Sequence, residues 1–267
     1  TMPPGAVEPL GEAMASDLAG YMIGLGKASL VASAEFEDDF SRAARARLRA
    51  TADRLAPVTD DMLRSPPVGD WLVWRGDVNA TGFSRLTQID RSNVKRLRLV
   101  WSKTLGQGTN GIAPLAHDGV IFVYGGGRIS AIEATSGDTI WSRSVPTARR
   151  DITQPRGVAL YGNALFASTV DNHVMALDVR TGRLLWDRHV TGSGKFTFTA
   201  PPLAANGKVF QSAAMCAFKG SRCFITALDA ATGAEVWRTY TVPGEGDRGA
   251  ESWGGAPADM RSGAGAW

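Results

Sequence analysis

An eleven-residue pattern occurs three times in this chain and narrows its fold more than any other feature. Residues 131–141 read AIEATSGDTIW, residues 176–186 read ALDVRTGRLLW, and residues 227–237 read ALDAATGAEVW. Each copy has Ala first, an acid third, Gly seventh and Trp eleventh. The chain has 8 Trp in 267 residues, so three at one place in a pattern mark a repeat. Trp141, Trp186 and Trp237 are 45 and 51 residues apart, and Trp101 stands 40 before the first. Periods of about 40 to 50 residues belong to propeller blades or to helical repeats.

Local composition chooses between these. Each motif follows a run rich in Val, Ile, Phe and Thr, partly alternating with polar residues and broken by Gly or Asn: GVIFVYGGGRISAIEA, NALFASTVDNHVMALDV and GKVFQSAAMCAFKGSRCFITALDA. A unit of strand, turn, strand, turn and a last strand ending in Trp is a four-stranded blade. Gly137, Gly182 and Gly233 supply the positive φ of a tight turn. Asp178 with Thr181, and Asp229 with Thr232, can bond the turn backbone, with Glu133 and Ser136 in the first copy. Ala131, Ala176 and Ala227 permit close packing. Trp141, Trp186 and Trp237 bury large flat rings, which suits equivalent seams between blades. All these residues are structural.

Composition excludes several functions. Charged residues make up 21% and the net charge is +3, ordinary for a globular protein. The densest basic run, RAARARLRATADR at 42–54, has acids around it and reads as the solvated face of a helix, so nucleic acid is not expected as a partner. No stretch of about 18 apolar residues offers a membrane span. Residues 21–34 are not read as a signal peptide, because Lys27 interrupts the apolar stretch and Asp17 stands where basic residues belong. Cys216 and Cys223 lie seven apart without the paired ligands of a zinc site. Spacing alone allows either a small disulfide loop or two buried thiols.

The first quarter differs. Met14, Leu18, Tyr21, Met22 and Leu25 recur at helical spacing, and a second helical stretch runs from about Phe36 to Leu55. The Pro-rich APVTDDMLRSPP follows. The expected organisation is a helical segment over 1–56, a linker over 57–68 and a propeller portion over 69–267. A first residue of Thr suggests that sequence precedes it.

The Ala-x-Asp-x-x-x-Gly-x-x-x-Trp repeat resembles the tryptophan-docking motif of quinoprotein alcohol dehydrogenases, which are eight-bladed propellers that use pyrroloquinoline quinone. Residues 70–101, DWLVWRGDVNATGFSRLTQIDRSNVKRLRLVW, resemble that family's opening strands. APLAHDGVIFV, RGVALYGNALFAS and TAPPLAANGKVF resemble its inner strands, and EVWRTYTVPGEG and ESWGGAPADMRSGAGAW extend the likeness to 267. The resemblance implies an all-β fold: three to four blades of an eight-bladed propeller, preceded by a short helical segment. TMPPGAVEPL with the helix after it resembles the tail of a cytochrome c domain. That implies Met2 as a former haem axial ligand and haem c in a domain upstream, since Cys-x-x-Cys-His is absent.

The resemblance also implies a site. Trp267, ending GAGAW, matches the Trp that stacks beneath the quinone. Arg156, in QPRGVALYG, matches an Arg that pairs with a cofactor carboxylate through its planar fork. Thr197 and Thr199, in KFTFTAPP, straddle the position of a Thr that bonds the cofactor. Departures accompany these matches. The family's adjacent Cys pair is missing, a Glu expected near Gly111 is absent, and Ser212–Ala213–Ala214–Met215–Cys216 replaces a Ser-Gly-x-Glu whose Glu holds Ca²⁺ or a similar ion. The catalytic base and a metal-binding Asn would lie beyond Trp267. Cys216 and Cys223 resemble a subgroup whose Cys pair bounds a blade loop, which makes them a candidate disulfide. The implied function is oxidation of a small alcohol by hydride transfer to the quinone, with electrons passed to a cytochrome c in the periplasm. The alternative is a non-catalytic propeller of the same repeat serving as a protein-binding scaffold. The substrate alcohol is not readable.

Overall fold

The computed structural model describes residues 39–105, 111–145, 156–192, 194–216, 221–261 and 265–266. The chain divides into residues 1–47 and residues 48–267. The first helical stretch and Met2 fall outside the described residues. Helix α1, Asp39–Asp53, carries the basic run, and its Arg42, Arg45, Arg47 and Arg49 are exposed. No described helix is long and apolar enough to cross a membrane.

The rest is mainly β-structure in three four-stranded sheets. Strands β1 (Leu115–His117), β2 (Val120–Gly125), β3 (Arg128–Glu133) and β4 (Thr139–Ser144) form the first. Strands β5 (Ala159–Tyr161), β6 (Ala164–Ser168), β7 (His173–Asp178) and β8 (Leu184–His189) form the second. Strands β9 (Leu203–Ala205), β10 (Lys208–Ser212), β11 (Phe224–Asp229) and β12 (Glu235–Tyr240) form the third. Each is an antiparallel meander in chain order, the topology of a propeller blade. Three blades of a partial propeller are therefore in place, and the expected fold class holds.

The eleven-residue motif sets the same register in each blade. Ala131 lies opposite Trp141, Ala176 opposite Trp186 and Ala227 opposite Trp237, with a bulge directly after each Ala. The three Ala are fully buried. Between the third and fourth strands, Asp178 Oδ1 accepts from Thr181 N (2.9 Å) and Thr181 Oγ1 (2.7 Å), and Asp229 Oδ1 accepts from Thr232 N (2.9 Å) and Thr232 Oγ1 (2.8 Å). In the first copy the longer Glu133 spreads the task over both oxygens: Oε1 takes Thr135 Oγ1 (2.5 Å) and Oε2 takes Ser136 N (2.8 Å). The hydroxyl on the acid is thus Thr135, and Ser136 contributes its amide.

Two of the Trp then dock on the next blade. Trp141 Nε1 donates to Val179 O (2.9 Å) and Trp186 Nε1 to Ala230 O (3.0 Å). Their rings lie over Gly182 and Gly233, where an added Cβ would stand 2.5 and 2.7 Å from ring carbons. Glycine is required there twice over, by its positive φ (68° and 71°) and by the ring above it. Trp141 is 8% exposed, whereas Trp237 shares the register but is 41% exposed, with no further turn over it among the described residues.

Residues 55–72 form a strap along the turns that join the first and second strands. Val58 and Gly162 exchange backbone hydrogen bonds (2.9 and 2.7 Å), as do Trp71 and Ala116 (2.8 and 3.0 Å). Helix α2, Asp60–Arg64, is capped by Thr59. Its Asp60 accepts from Tyr161 Oη (2.8 Å) and Asn206 N (2.6 Å), which ties the second and third blades together. The Asn206 amide and then the Tyr161 hydroxyl hold the Asp60 carboxyl below its usual range. Leu55, Val58, Leu63 and Leu72 are buried in one core with Phe122, Leu160 and Leu177.

Glu133 gives this architecture an acid limit. Burial pushes its carboxyl up, but the hydrogen bonds from Thr135 and Ser136 outweigh that and hold it at about 2, against an ordinary 4.5. A depressed folded-state value stabilises above the unfolded value and is lost as pH falls toward the folded one. Relative to Glu133→Gln, wild type should therefore lose its stability advantage between about pH 4.5 and 2. Urea unfolding of both proteins across that window checks this; a constant difference would show that the charged form is not what matters.

Candidate functional site

Blades place their first strands about a common axis, so the residues that lead into β1, β5 and β9 meet at one end. Here Ala113 N donates to Arg156 O (2.7 Å), and Ala113 forms a parallel bridge with Gly157. A Cβ on Gly157 would lie 3.5 Å from Pro201 Cβ, so the third blade joins the same row. Arg156 and Thr199 stand at its edge, each within two residues of these contacts. The Arg156 side chain is exposed and passes over Gly111, where a Cβ would lie 3.7 Å from its Cδ and Nε.

The two threonines are in different states. Thr197 is 1% exposed, and its Oγ1 donates to Val170 O (2.6 Å) while its backbone pairs with Ala214 (3.0 and 2.9 Å). Thr199 is 8% exposed, and its Oγ1 has no hydrogen-bond partner among the described residues. A buried hydroxyl without a partner is costly and invites a ligand or water. Gln211, on β10, was not picked out from the sequence. It is buried, with Nε2 donating to Ala200 O (3.3 Å) and Ser212 O (3.2 Å) and Oε1 unpartnered. Its alternation with buried Val209 was the signal that could have found it.

The strand end that follows Gln211 carries the cysteines. Cys216 and Cys223 are disulfide-bonded, with Cα atoms 5.5 Å apart. Ala266 N donates to Ala213 O (3.2 Å), and a Cβ on Gly265 would lie 3.5 Å from Ala214 Cα. The backbone just before Trp267 is thus anchored beside the Thr197–Ala214 bridge; Trp267 itself lies outside the described residues. Met215 has φ +59° and is exposed. Full-length loop closure over so few residues stabilises by about 2 kcal/mol. Denatured, unreduced protein should therefore show no free thiol, and reduction should lower unfolding stability by about that amount; two titratable thiols would overturn the bridge.

The chemistry of these groups fits a planar, carboxylate-bearing quinone in part. An exposed guanidinium can meet a carboxylate, and the Thr199 hydroxyl lacks the partner a carbonyl or carboxylate would supply. The fit to a divalent ion is poor. The segment Ser212 to Cys216 offers no carboxylate. Among the described residues, only Asp70, His117 and Asp118 form a three-ligand cluster, and its atoms are committed elsewhere. Both His117 nitrogens bond Asp70 Oδ2 (2.7 Å) and Ala56 O (2.9 Å), and Asp118 Oδ2 accepts Ala56 N (2.8 Å). An apolar cleft of about 40 Å³ beside Val73, Trp74, Val158 and Pro201 is far too small for a tricyclic cofactor.

Comparison with known proteins agrees with this geometry. The family described as "Glucose/ethanol/alcohol dehydrogenase, beta-propeller domain" (PQQ) matches residues 71–267. The quinohemoprotein alcohol dehydrogenase ADH IIB of Pseudomonas putida is 36% identical over 187 residues, covering 66% of this chain and 27% of that protein. The quinoprotein alcohol dehydrogenase PedH of Pseudomonas putida is 32% identical over 210 residues, covering 74% and 35%. The crystal structure of quinohemoprotein alcohol dehydrogenase from Comamonas testosteroni superposes with a TM-score of 0.66 at 31% identity, covering 75% of this chain and 31% of that one. The chain thus spans about a quarter to a third of the length of the curated relatives it matches. With three docked blades and a family match over most of its length, this chain belongs to the PQQ-dependent alcohol dehydrogenase propeller family.

Proposed function

We infer that this chain is part of a dehydrogenase that oxidises a small alcohol, and that its share of the work is to hold one side of pyrroloquinoline quinone. The observation that carries this is the buried Thr199 hydroxyl, without a hydrogen-bond partner among the described residues, in a chain of that family. When bound, the quinone accepts the hydride of the alcohol. Arg156 would pair with one of its carboxylates, and the Thr199 hydroxyl would bond a second oxygen. Thr197 suits this less, because its hydroxyl already donates to Val170 O. Trp267 would stack on the ring, brought there by the anchored backbone of Gly265 and Ala266. The base that takes the alcohol proton, and a metal-binding Asn, would be supplied by sequence beyond Trp267. A cytochrome c receives the electrons, fused upstream if residues 1–56 close such a domain with Met2 as its former ligand; the periplasm suits both cofactors and the disulfide.

Calorimetric titration with pyrroloquinoline quinone tests this. The 267-residue chain should bind weakly or not at all, since an Arg pair, a hydroxyl and one ring face supply only a few kcal/mol. The full-length protein should bind, and Thr199→Val should weaken that binding about 3- to 10-fold, the worth of about 1 kcal/mol. Thr197→Val should leave affinity unchanged while lowering stability. An unchanged affinity in Thr199→Val, or no binding by the full-length protein, would sink the cofactor assignment.

A further inference from the structure

The chain has 3 His, and two of them meet on the second blade. His173 opens β7 and His189 closes β8, directly opposite each other in the register. Val190 N donates to Asn172 O (2.8 Å), which makes the neighbouring pair of His173 and His189 one of the non-hydrogen-bonded kind. Side chains of such pairs approach most closely. The two imidazole centres stand 4.9 Å apart with their planes tilted by 41°. His173 is half-buried and His189 is exposed.

Asp187 precedes His189 by two residues, so it projects from the same face of the sheet. Its Oδ1 lies 2.8 Å from His173 Nδ1. A carboxylate only accepts, so the Nδ1 proton points at Asp187 and the lone pair of the neutral ring lies at Nε2. A carboxylate behind a metal-binding histidine fixes tautomer and ring orientation in this way. Two imidazoles that hold one ion at about 2.0–2.1 Å, at between a right angle and a tetrahedral angle, have ring centres about 4.5–5.2 Å apart. The spacing of His173 and His189 falls in that range. Arg188, between Asp187 and His189, takes the opposite face and donates to Gly233 O (3.1 Å), so its charge is turned away.

We propose that His173 and His189 form a two-imidazole site for a late first-row divalent metal ion, with Asp187 orienting His173 from behind and water completing the ion's shell. Imidazole suits Cu²⁺, Ni²⁺ and Zn²⁺, of which Cu²⁺ binds tightest. Ca²⁺ and Mg²⁺ ask for oxygen ligands and are not held. The remaining His and both Cys are committed: each His117 nitrogen has a partner, and Cys216 and Cys223 form a disulfide. The site lies on the two outer strands of its blade, with β7 two strand spacings, about 10 Å, from β5. It stands independently of the quinone assignment.

Titration of the untagged 267-residue chain with Cu²⁺, Ni²⁺, Zn²⁺ and Ca²⁺ tests this without any quinone. Cu²⁺ should bind more tightly than Ni²⁺ or Zn²⁺, with no response to Ca²⁺. Electron spin-echo modulation of the bound Cu²⁺ should show two imidazoles. His173→Asn and His189→Asn should each leave one imidazole and weaken Cu²⁺ binding by at least about 10-fold, and Asp187→Asn should keep two imidazoles while weakening it by about 10-fold. The wild-type spectrum is decisive by itself, so a variant that folded poorly would not leave the question open. A wild-type signal from one imidazole or none, or an affinity unchanged in either histidine variant, would overturn the site; an affinity unchanged in Asp187→Asn would overturn the orienting role.

Discussion

Gly182→Ala should destabilise the propeller portion by about 3–5 kcal/mol, a large share of the roughly 5–15 kcal/mol that holds a domain folded. Two costs add. A left-handed backbone at φ +68° costs an L-residue about 1–2 kcal/mol. The new Cβ would also stand 2.5 Å from Trp141 Cε3 and 2.8 Å from Cδ2, so the ring must lift. Lifting it forfeits the Nε1 bond to Val179 O and unpacks a ring that is 8% exposed. Gly162→Ala separates the two costs: its φ is +58°, and nothing lies within 4 Å of its Cβ position. It should cost only about 1–2 kcal/mol. Urea unfolding of both variants decides the matter, and similar losses would mean that the Trp141 ring yields freely and the seam between the first two blades is not rigid.

The blades were legible because their register is a local fact. Ala, acid, Gly and Trp at fixed spacing place a bulge, a turn and a docking ring within eleven residues, and three copies remove ambiguity. The strap was not legible in the same way. Residues 57–68 have the Pro-rich composition of a linker, while what holds them is remote: Asn206 N on Asp60, Arg180 Nη2 on Leu55 O (2.6 Å), and the Gly162 backbone on Val58. Contacts across more than a hundred residues leave no periodic trace. Leu55, Val58, Leu63 and Leu72, which anchor the stretch, follow no period that would have marked it as docked. At the site, the resemblance left Thr197 and Thr199 straddling one position and could not separate them. Val170 O, which accepts from Thr197 alone, makes the difference.

His117→Ala should be as costly as any change in the strap, about 3–5 kcal/mol, although it deletes a small polar ring. His117 is 1% exposed at the end of β1. Its Nδ1 lies 2.7 Å from Asp70 Oδ2 and its Nε2 2.9 Å from Ala56 O, so one side chain fastens both ends of the strap to the first blade. Asp70, whose side chain is 7% exposed, keeps the Asp118 amide (3.1 Å) as its only partner among the described residues when the ring is removed. A carboxylate left buried with half its partners is the source of the cost, not the lost bond as such. The double variant Asp70→Asn, His117→Ala removes that charge and should recover a substantial part of the loss. Amide exchange at Val58 and Trp71, which bond Gly162 and Ala116, should accelerate in the single variant before the blades themselves open. If the single variant loses less than about 1 kcal/mol, or the double variant is worse than the single, then Leu55, Val58, Leu63 and Leu72 hold the strap by apolar burial alone.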